Sequence, residues 1–198
     1  SVTTDTTAPT LSNVSITSDN STSTLAKAND DITLTFTASE AIGTPVVTFR
    51  SGGDAITDGS VVYRNTSGNT WTAVYTANAS DTDGAVTYSI AFSDTTGNAG
   101  TAVTSGSGSV TTDTTAPTLS SVSLASDNST STLAKAGDDV TLTFTASEAI
   151  GTPVVTFRSG GDAITDGSVV YSNTSGNTWT AVYTANASDT DGAVTYSI

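Results

Sequence analysis

Residues 31–38 read DITLTFTA, and residues 139–146 read DVTLTFTA. In the first stretch Ile32, Leu34 and Phe36 alternate with Thr33, Thr35 and Thr37. A period of two puts the apolar set on one face and the threonines on the other. It predicts a half-buried β-strand with a hydroxyl-coated outer face. The same period runs through Thr70–Ala77, TWTAVYTA, where it aligns Trp71, Ala73 and Tyr75. It also runs through Ala85–Phe92, AVTYSIAF, where it aligns Val86, Tyr88, Ile90 and Phe92. Shorter strands fit Leu11–Thr17, Val46–Arg50, Ser60–Arg64 and Thr101–Thr112. Between the strands lie SDNSTS, SEAIGTP, SGGDAITDGS, NTSGN, SDTDG and SDTTGNAG, all rich in turn formers. About seven short strands in roughly 100 residues, with no helical stretch, predict an all-β chain of immunoglobulin-like, Greek-key antiparallel sandwiches. We letter the strands A to G. Tyr88, two residues before Ile90 and after the Asp83–Gly84 turn, fits the tyrosine corner of such domains and equally fits a plain core aromatic.

The segment Ser1–Ser12, SVTTDTTAPTLS, returns unchanged at Ser109–Ser120. Residues 1–90 and 109–198 align without a gap and differ only at Asn13/Ser121, Ile16/Leu124, Thr17/Ala125, Asn29/Gly137, Ile32/Val140 and Arg64/Ser172. A period this long marks an array of small domains rather than a solenoid. The expected domains are 1–108 and 109–198, with Ser1–Thr4 reading as the end of a preceding repeat's last strand. The second copy reaches Ile198, which matches Ile90, without a counterpart of Ala91–Gly108. It is therefore expected to lack its last strand, as an excerpt of a longer array would.

Composition narrows the function. The formal charge is −14, and the cations are Lys27, Arg50, Arg64, Lys135 and Arg158. Such a surface suits neither nucleic acid, whose binding needs phosphate neutralisation, nor an anionic membrane. No apolar run is long enough to span a bilayer, so membrane insertion is not expected. Cys and His are absent, which excludes the common nucleophilic triads. No acid sits within a predicted apolar face, so the chain is not expected to be an enzyme. A divalent cation is the natural counter-ion; solubility alone is the plainer reading of the charge.

The acids fall in the linkers, loops and strand ends. Strand order puts loops AB, CD and EF at one end of each sandwich, the far end, and loops BC, DE and FG at the other, the near end. The far end holds Asp30 and Asp31 in AB, and Asp81 and Asp83 in EF; Asp138, Asp139, Asp189 and Asp191 are their counterparts. The near end holds linker Asp5, Glu40 in BC, and Asp94 with Asn98 in FG; linker Asp113 and Glu148 repeat the first two. Far-end acids of one repeat, with the linker acid and Glu of the next, could supply the six to eight hard oxygens that Ca2+ requires. Turn formation alone also gathers Asp in loops, and it is the preferred reading for Asp54 and Asp58 in CD. A lysine–asparagine crosslink at Lys27 is not expected, because Lys27 falls in a loop.

The linker DTTAPT, the strand DDVTLTFTASE and the FG loop DTTGNAG resemble the bacterial Ig-like repeats of giant surface adhesins and biofilm-associated proteins. The likeness covers nearly the whole chain. It implies secretion to the bacterial cell surface, long tandem arrays, and Ca2+ held at domain junctions by linker and loop acids. Carried over by position, it points to Asp5, Asp113, Asp94 and Asn98. The expected function is a structural spacer whose partners are neighbouring repeats of the same chain. The alternatives are a ligand- or glycan-binding module and a strand-donating subunit that self-associates into filaments.

Overall fold

The computed structural model describes residues 2–57, 59–164 and 167–198. Ser1 and Asp58 lie outside the described residues. The chain forms two compact units, Ser1–Thr115 and Ala116–Ile198.

Unit 1 contains β1 (Leu11–Ser18), β2 (Leu25–Ala26), β3 (Asp31–Ala38), β4 (Val46–Ser51), β5 (Asp54–Ala55), β6 (Val62–Ser67), β7 (Thr70–Thr76), β8 (Gly84–Ala91) and β9 (Thr111–Thr112). One sheet has the order β1-β3-β7-β6 and the other β2-β9-β8-β4-β5. In letters these are A-B-E-D against G-F-C, the immunoglobulin arrangement. Unit 2 contains β10 (Leu119–Ser126), β11 (Asp139–Ala146), β12 (Thr156–Ser159), β13 (Asp162–Ala163), β14 (Val170–Ser175), β15 (Thr178–Thr184) and β16 (Val194–Ser197). Its sheets run β10-β11-β15-β14 and β13-β12-β16. The molecule is thus a pair of immunoglobulin-like sandwiches.

The alternation read from the sequence builds each core. Ile32, Leu34 and Phe36 of β3 are fully buried, and Phe49, Tyr75 and Ile90 close over them from β4, β7 and β8. The rings of Phe49 and Tyr75 lie 4.8 Å apart at 44°, and Phe157 and Tyr183 repeat that geometry in unit 2. Trp71 packs half-buried against the core, opposite Phe36. The outer threonines pair across strands: Thr35 faces Thr72, and the Thr37 and Thr70 hydroxyls are 3.1 Å apart. Such cross-strand pairs stabilise a sheet by about 0.2–1 kcal/mol each.

Three departures from the sequence reading have local causes. The expected AB loop contributes β2, which pairs in parallel with β9, and the CD loop contributes β5, which folds back on β4. Strand G is not continuous over Thr101–Thr112. Val103 bridges Ile90, Ser107 bridges Ser15, and only Thr111–Thr112 forms a ladder, on β8 and β2. The cause is close approach to β1: a Cβ on Gly106 would lie 2.4 Å from the Val14 carbonyl oxygen and 2.8 Å from the Tyr88 hydroxyl. The segment therefore touches both sheets in turn. Tyr88 is half-buried beside it, and burial pushes its phenol pKa up.

The repeat differences respect the backbone. Asn29 has φ 74° and its counterpart Gly137 has φ 91°, a left-handed conformation that both residue types tolerate. Asn13 (φ 51°) and Ser121 (φ 53°) sit at the same bulge in β1 and β10. The pairs Ile16/Leu124 and Ile32/Val140 are apolar swaps within the two cores.

Candidate metal centre

At the near end of unit 1 the linker is latched onto the BC loop. The Thr10 amide donates to Ser39 Oγ at 3.0 Å, and the Ser39 amide donates to the Thr10 carbonyl at 2.9 Å. The FG loop approaches the same point, with Ile42 bridging Asp94 and Ser93 bridging Ala99. Asp94 organises this loop from within. Its Oδ1 accepts from the Thr96 amide (2.9 Å), the Thr96 hydroxyl (2.9 Å), the Gly97 amide (2.6 Å) and the Asn98 amide (2.8 Å). Its Oδ2 accepts from Asn98 Nδ2 at 2.7 Å, and the same Nδ2 donates to the Asp5 carbonyl at 3.1 Å. Burial raises the Asp94 pKa, but the bonds from Asn98, Thr96 and Gly97 outweigh it and bring the value down to about 2. Asp94 is thus a fixed negative charge that is only 5% exposed.

Two more carboxylates meet this charge. Oxygens of Asp5, Glu40 and Asp94 all lie within 4.8 Å of one another. Two like unit charges about 4 Å apart repel by about 1 kcal/mol in bulk water and about 4 kcal/mol near a protein surface. A bound cation reverses the sign of that energy. The donors are hard oxygens with no sulfur or imidazole, which suits Ca2+ rather than Zn2+ or copper. Asp94 Oδ1 is saturated, so Asp94 offers Oδ2 alone. Asp5 and Glu40 each bring a carboxylate oxygen to the group, Asp5 while its Oδ1 accepts from the Thr7 amide at 3.0 Å, and water would complete the shell.

The far-end acids are placed differently. Asp30 accepts from Lys27 Nζ (2.7 Å), the Lys27 amide (2.9 Å) and Asn20 Nδ2 (2.6 Å). Burial raises its pKa, yet the bonds from Lys27 and Asn20 prevail and lower it to about 2. Asp138 repeats this with Asn128 and Lys135 and also sits at about 2. Asp31 accepts from the Thr76 hydroxyl at 2.7 Å, and Asp139 from that of Thr184 at 2.7 Å.

Asp81 accepts from the Thr57 amide (2.9 Å), the Thr57 hydroxyl (2.6 Å) and the Asn78 amide (2.9 Å); against the opposing effect of burial, these bonds lower its pKa. Asp189 accepts from the Asn186 amide at 2.8 Å. Asp83 is lowered first by the Thr115 hydroxyl (2.6 Å), then by the Thr114 amide (2.6 Å). Asp191 and Asp113 are exposed, and Glu148 is half-buried. Asp113 belongs to unit 1 and Glu148 to unit 2.

Among the described residues, the acids grouped closely enough to hold a metal ion are therefore Asp5, Glu40 and Asp94, with Asn98 behind them. Sequence reading missed the hydroxyls of Thr57, Thr114 and Thr115 that hold the far-end acids. In so threonine-rich a chain, no local signal separates these residues from their neighbours.

No protein-family model and no curated protein matches the chain. Solved structures with similarity include an I-band fragment of titin, at 13% identity and a TM-score of 0.48, covering 93% of this chain and 57% of that one. The titin domains z1z2 in complex with telethonin match at 18% identity and a TM-score of 0.32, covering 92% of this chain and 84% of that one. The full ectodomain of mouse nectin-like molecule 4 matches at 13% identity and a TM-score of 0.35, covering 87% of this chain and 54% of that one. The immunoglobulin-like assignment rests on the strand order.

Proposed function

We propose that this chain is a structural spacer, a pair of tandem repeats from a secreted bacterial surface stalk whose linker is clamped by Ca2+. The reading is supported chiefly by the meeting of Asp5, Glu40 and Asp94. One acid comes from the linker, one from the BC loop and one from the FG loop. An ion bound by all three would tie the linker to the sandwich that follows it. It would turn a Thr- and Pro-containing hinge into a fixed joint. In a stalk the useful product is stiffness, which fits a chain built from near-identical repeats.

Isothermal titration with Ca2+ and with Mg2+, alongside thermal melting, tests this proposal. Ca2+ should bind and raise the melting temperature of unit 1. Asp5→Asn and Glu40→Gln should each weaken binding at least severalfold, with the apo melting temperature preserved. Absence of Ca2+ binding, or binding unaffected by both substitutions, would overturn the reading.

A further inference from the structure

The chain enters unit 1 at the near end and leaves it at the far end. On entry, Thr10 is held to Ser39 of the BC loop. On exit, the Thr114 amide and the Thr115 hydroxyl donate to Asp83 of the EF loop, both at 2.6 Å. The first and last segments of the unit therefore run the same way, and they lie side by side. Ser15 and Ser107 form a parallel bridge, and β2 and β9 form a parallel ladder.

Backbone hydrogen bonds join the two segments at both levels. The Ile16 amide donates to the Ser107 carbonyl (3.1 Å), and the Ser107 amide to the Val14 carbonyl (2.8 Å). Further along, the Thr111 amide donates to the Thr24 carbonyl (2.9 Å), and the Asp113 amide to the Ala26 carbonyl (2.8 Å). Two glycines flank Ser107 and permit the first pair of bonds. A Cβ on Gly106 would lie 2.4 Å from the Val14 carbonyl oxygen, and one on Gly108 would lie 2.3 Å from that of Ile16. Gly108 also has φ 78°, which favours glycine. Val14 and Ile16 are the same residues that bond to Ser107, so Gly106–Ser107–Gly108 is a fitted seat on β1. On its other side the G segment is pinned to β8. There the Val86 amide donates to the Val110 carbonyl (2.8 Å), and the Thr112 hydroxyl to the Gly84 carbonyl (3.0 Å).

Tension on a spacer pulls its entry toward the near end and its exit toward the far end. Neighbouring parallel segments pulled in this way slide past each other along their own axes. The bonds between them lie across the strands, so they are strained together. Peeling the strands apart would instead break them one at a time. We propose that the seating of the G segment on β1 and β2 is a shear clamp, which sets the rate at which unit 1 unfolds under tension. The apolar core behind it feels the force only after the clamp has parted. The clamp takes its use from the spacer reading, but it needs no bound ion.

The chain contains no cysteine. Val2→Cys and Ala116→Cys therefore give unique handles that load unit 1 alone within the full chain. Its unfolding rate is measured at constant force in chelator, beside equilibrium denaturant unfolding of the same variants. Gly106→Ala and Gly108→Ala wedge the two segments apart, and each should raise the rate under force about tenfold or more. Asp113→Pro removes the donor to the Ala26 carbonyl at an exposed position and should raise the rate severalfold. Ile32→Val, the exchange already present at Val140, thins the core by one methyl group. It should lower equilibrium stability yet leave the rate under force within about twofold, because its contacts persist until the clamp has parted. Clamp variants that leave the rate unchanged, or a core variant that speeds forced unfolding in proportion to its lost stability, would each overturn the proposal. Asp113→Pro remains decisive if either alanine prevents folding. With Ca2+ absent throughout, failure of the clamp says nothing against the metal centre, and a chain that binds no Ca2+ would still show the clamp.

Discussion

The acids at the two ends of unit 1 have the same chemistry and the same kind of loop, but different neighbours. At the far end, Asp30 meets Lys27 and Asn20, Asp81 meets Thr57 and Asn78, and Asp83 meets Thr114 and Thr115. Each carboxylate is satisfied by donors of its own chain, and each acts as a cap that fixes a turn. At the near end, Asp5, Glu40 and Asp94 meet one another. Asp94 belongs to both patterns. Its loop caps it and keeps it ionised, and that held charge then faces two more. An acid becomes a candidate ligand through what surrounds it rather than through its position in a loop.

The strongest way to break this comparison is to add metal. With Ca2+ at a hundredfold excess over its dissociation constant, unit 1 should gain about 2.7 kcal/mol. For a domain of this size each kcal/mol moves the melting temperature by about 4–8 °C. Glu40→Gln should remove most of that gain, and Asp30→Asn should leave it in place. If calorimetry found the reverse, the two ends would have exchanged roles. Next in size is Asp81→Ala measured without metal. It removes a buried carboxylate that accepts from the exposed Thr57 and the half-buried Asn78, so denaturant unfolding should show a loss of about 1–3 kcal/mol. Asp5→Ala under the same conditions removes a repelling charge and should be neutral or slightly stabilising.

Period-two alternation carried most of the fold. DITLTFTA, TWTAVYTA and AVTYSIAF became β3, β7 and β8 within a residue or so at each end. What alternation could not convey was strand G, because Gly106 and Gly108 let that segment cross from one sheet to the other, and neither has a side chain to register in a pattern. Short β2 was equally hidden, since Leu25–Ala26 is a strand only because Thr111–Thr112 lies beside it. For the acids, strand order predicts which loops share an end. It cannot say which carboxylates will find a threonine hydroxyl first, since the hydroxyls closest in space to Asp81 and Asp83, those of Thr57 and Thr115, lie 24 and 32 residues away along the chain.

Acid titration compares the two ends within one experiment. Asp30 and Asp94 in unit 1, and Asp138 in unit 2, have folded-state pKa values of about 2 against an ordinary 3.8. The unfolded chain therefore binds protons first as pH falls. The stability these groups contribute is complete above about pH 4 and is lost as pH drops toward 2. Thermal melts should show this loss in both units. Glu40→Gln should leave the acid limb in place, because the Asp94 bonds to its own loop persist, whereas Asp94→Asn should shrink the unit 1 part of it and leave the share that Asp30 contributes.

The smallest effect belongs to the lysines. Lys27 Nζ reaches Asp30 at 2.7 Å, but the lysine side chain is 69% exposed. Exposed pairs of this kind are worth about 0–1 kcal/mol. Lys27→Met should therefore cost less than Asp30→Ala, because Asn20 and the residue 27 amide still hold the carboxylate. Lys135→Met should behave alike in unit 2. There the bond and charge of Asp138 raise the Lys135 pKa above 10.5, so the ion pair is intact below that pH and is lost as pH climbs through the raised value. An alkaline melt that loses stability in the unsubstituted chain but not in Lys135→Met would isolate this contribution. A Lys27→Met loss as large as that of Asp30→Ala would instead make the ammonium, rather than the amide donors, the group that satisfies the far-end acid.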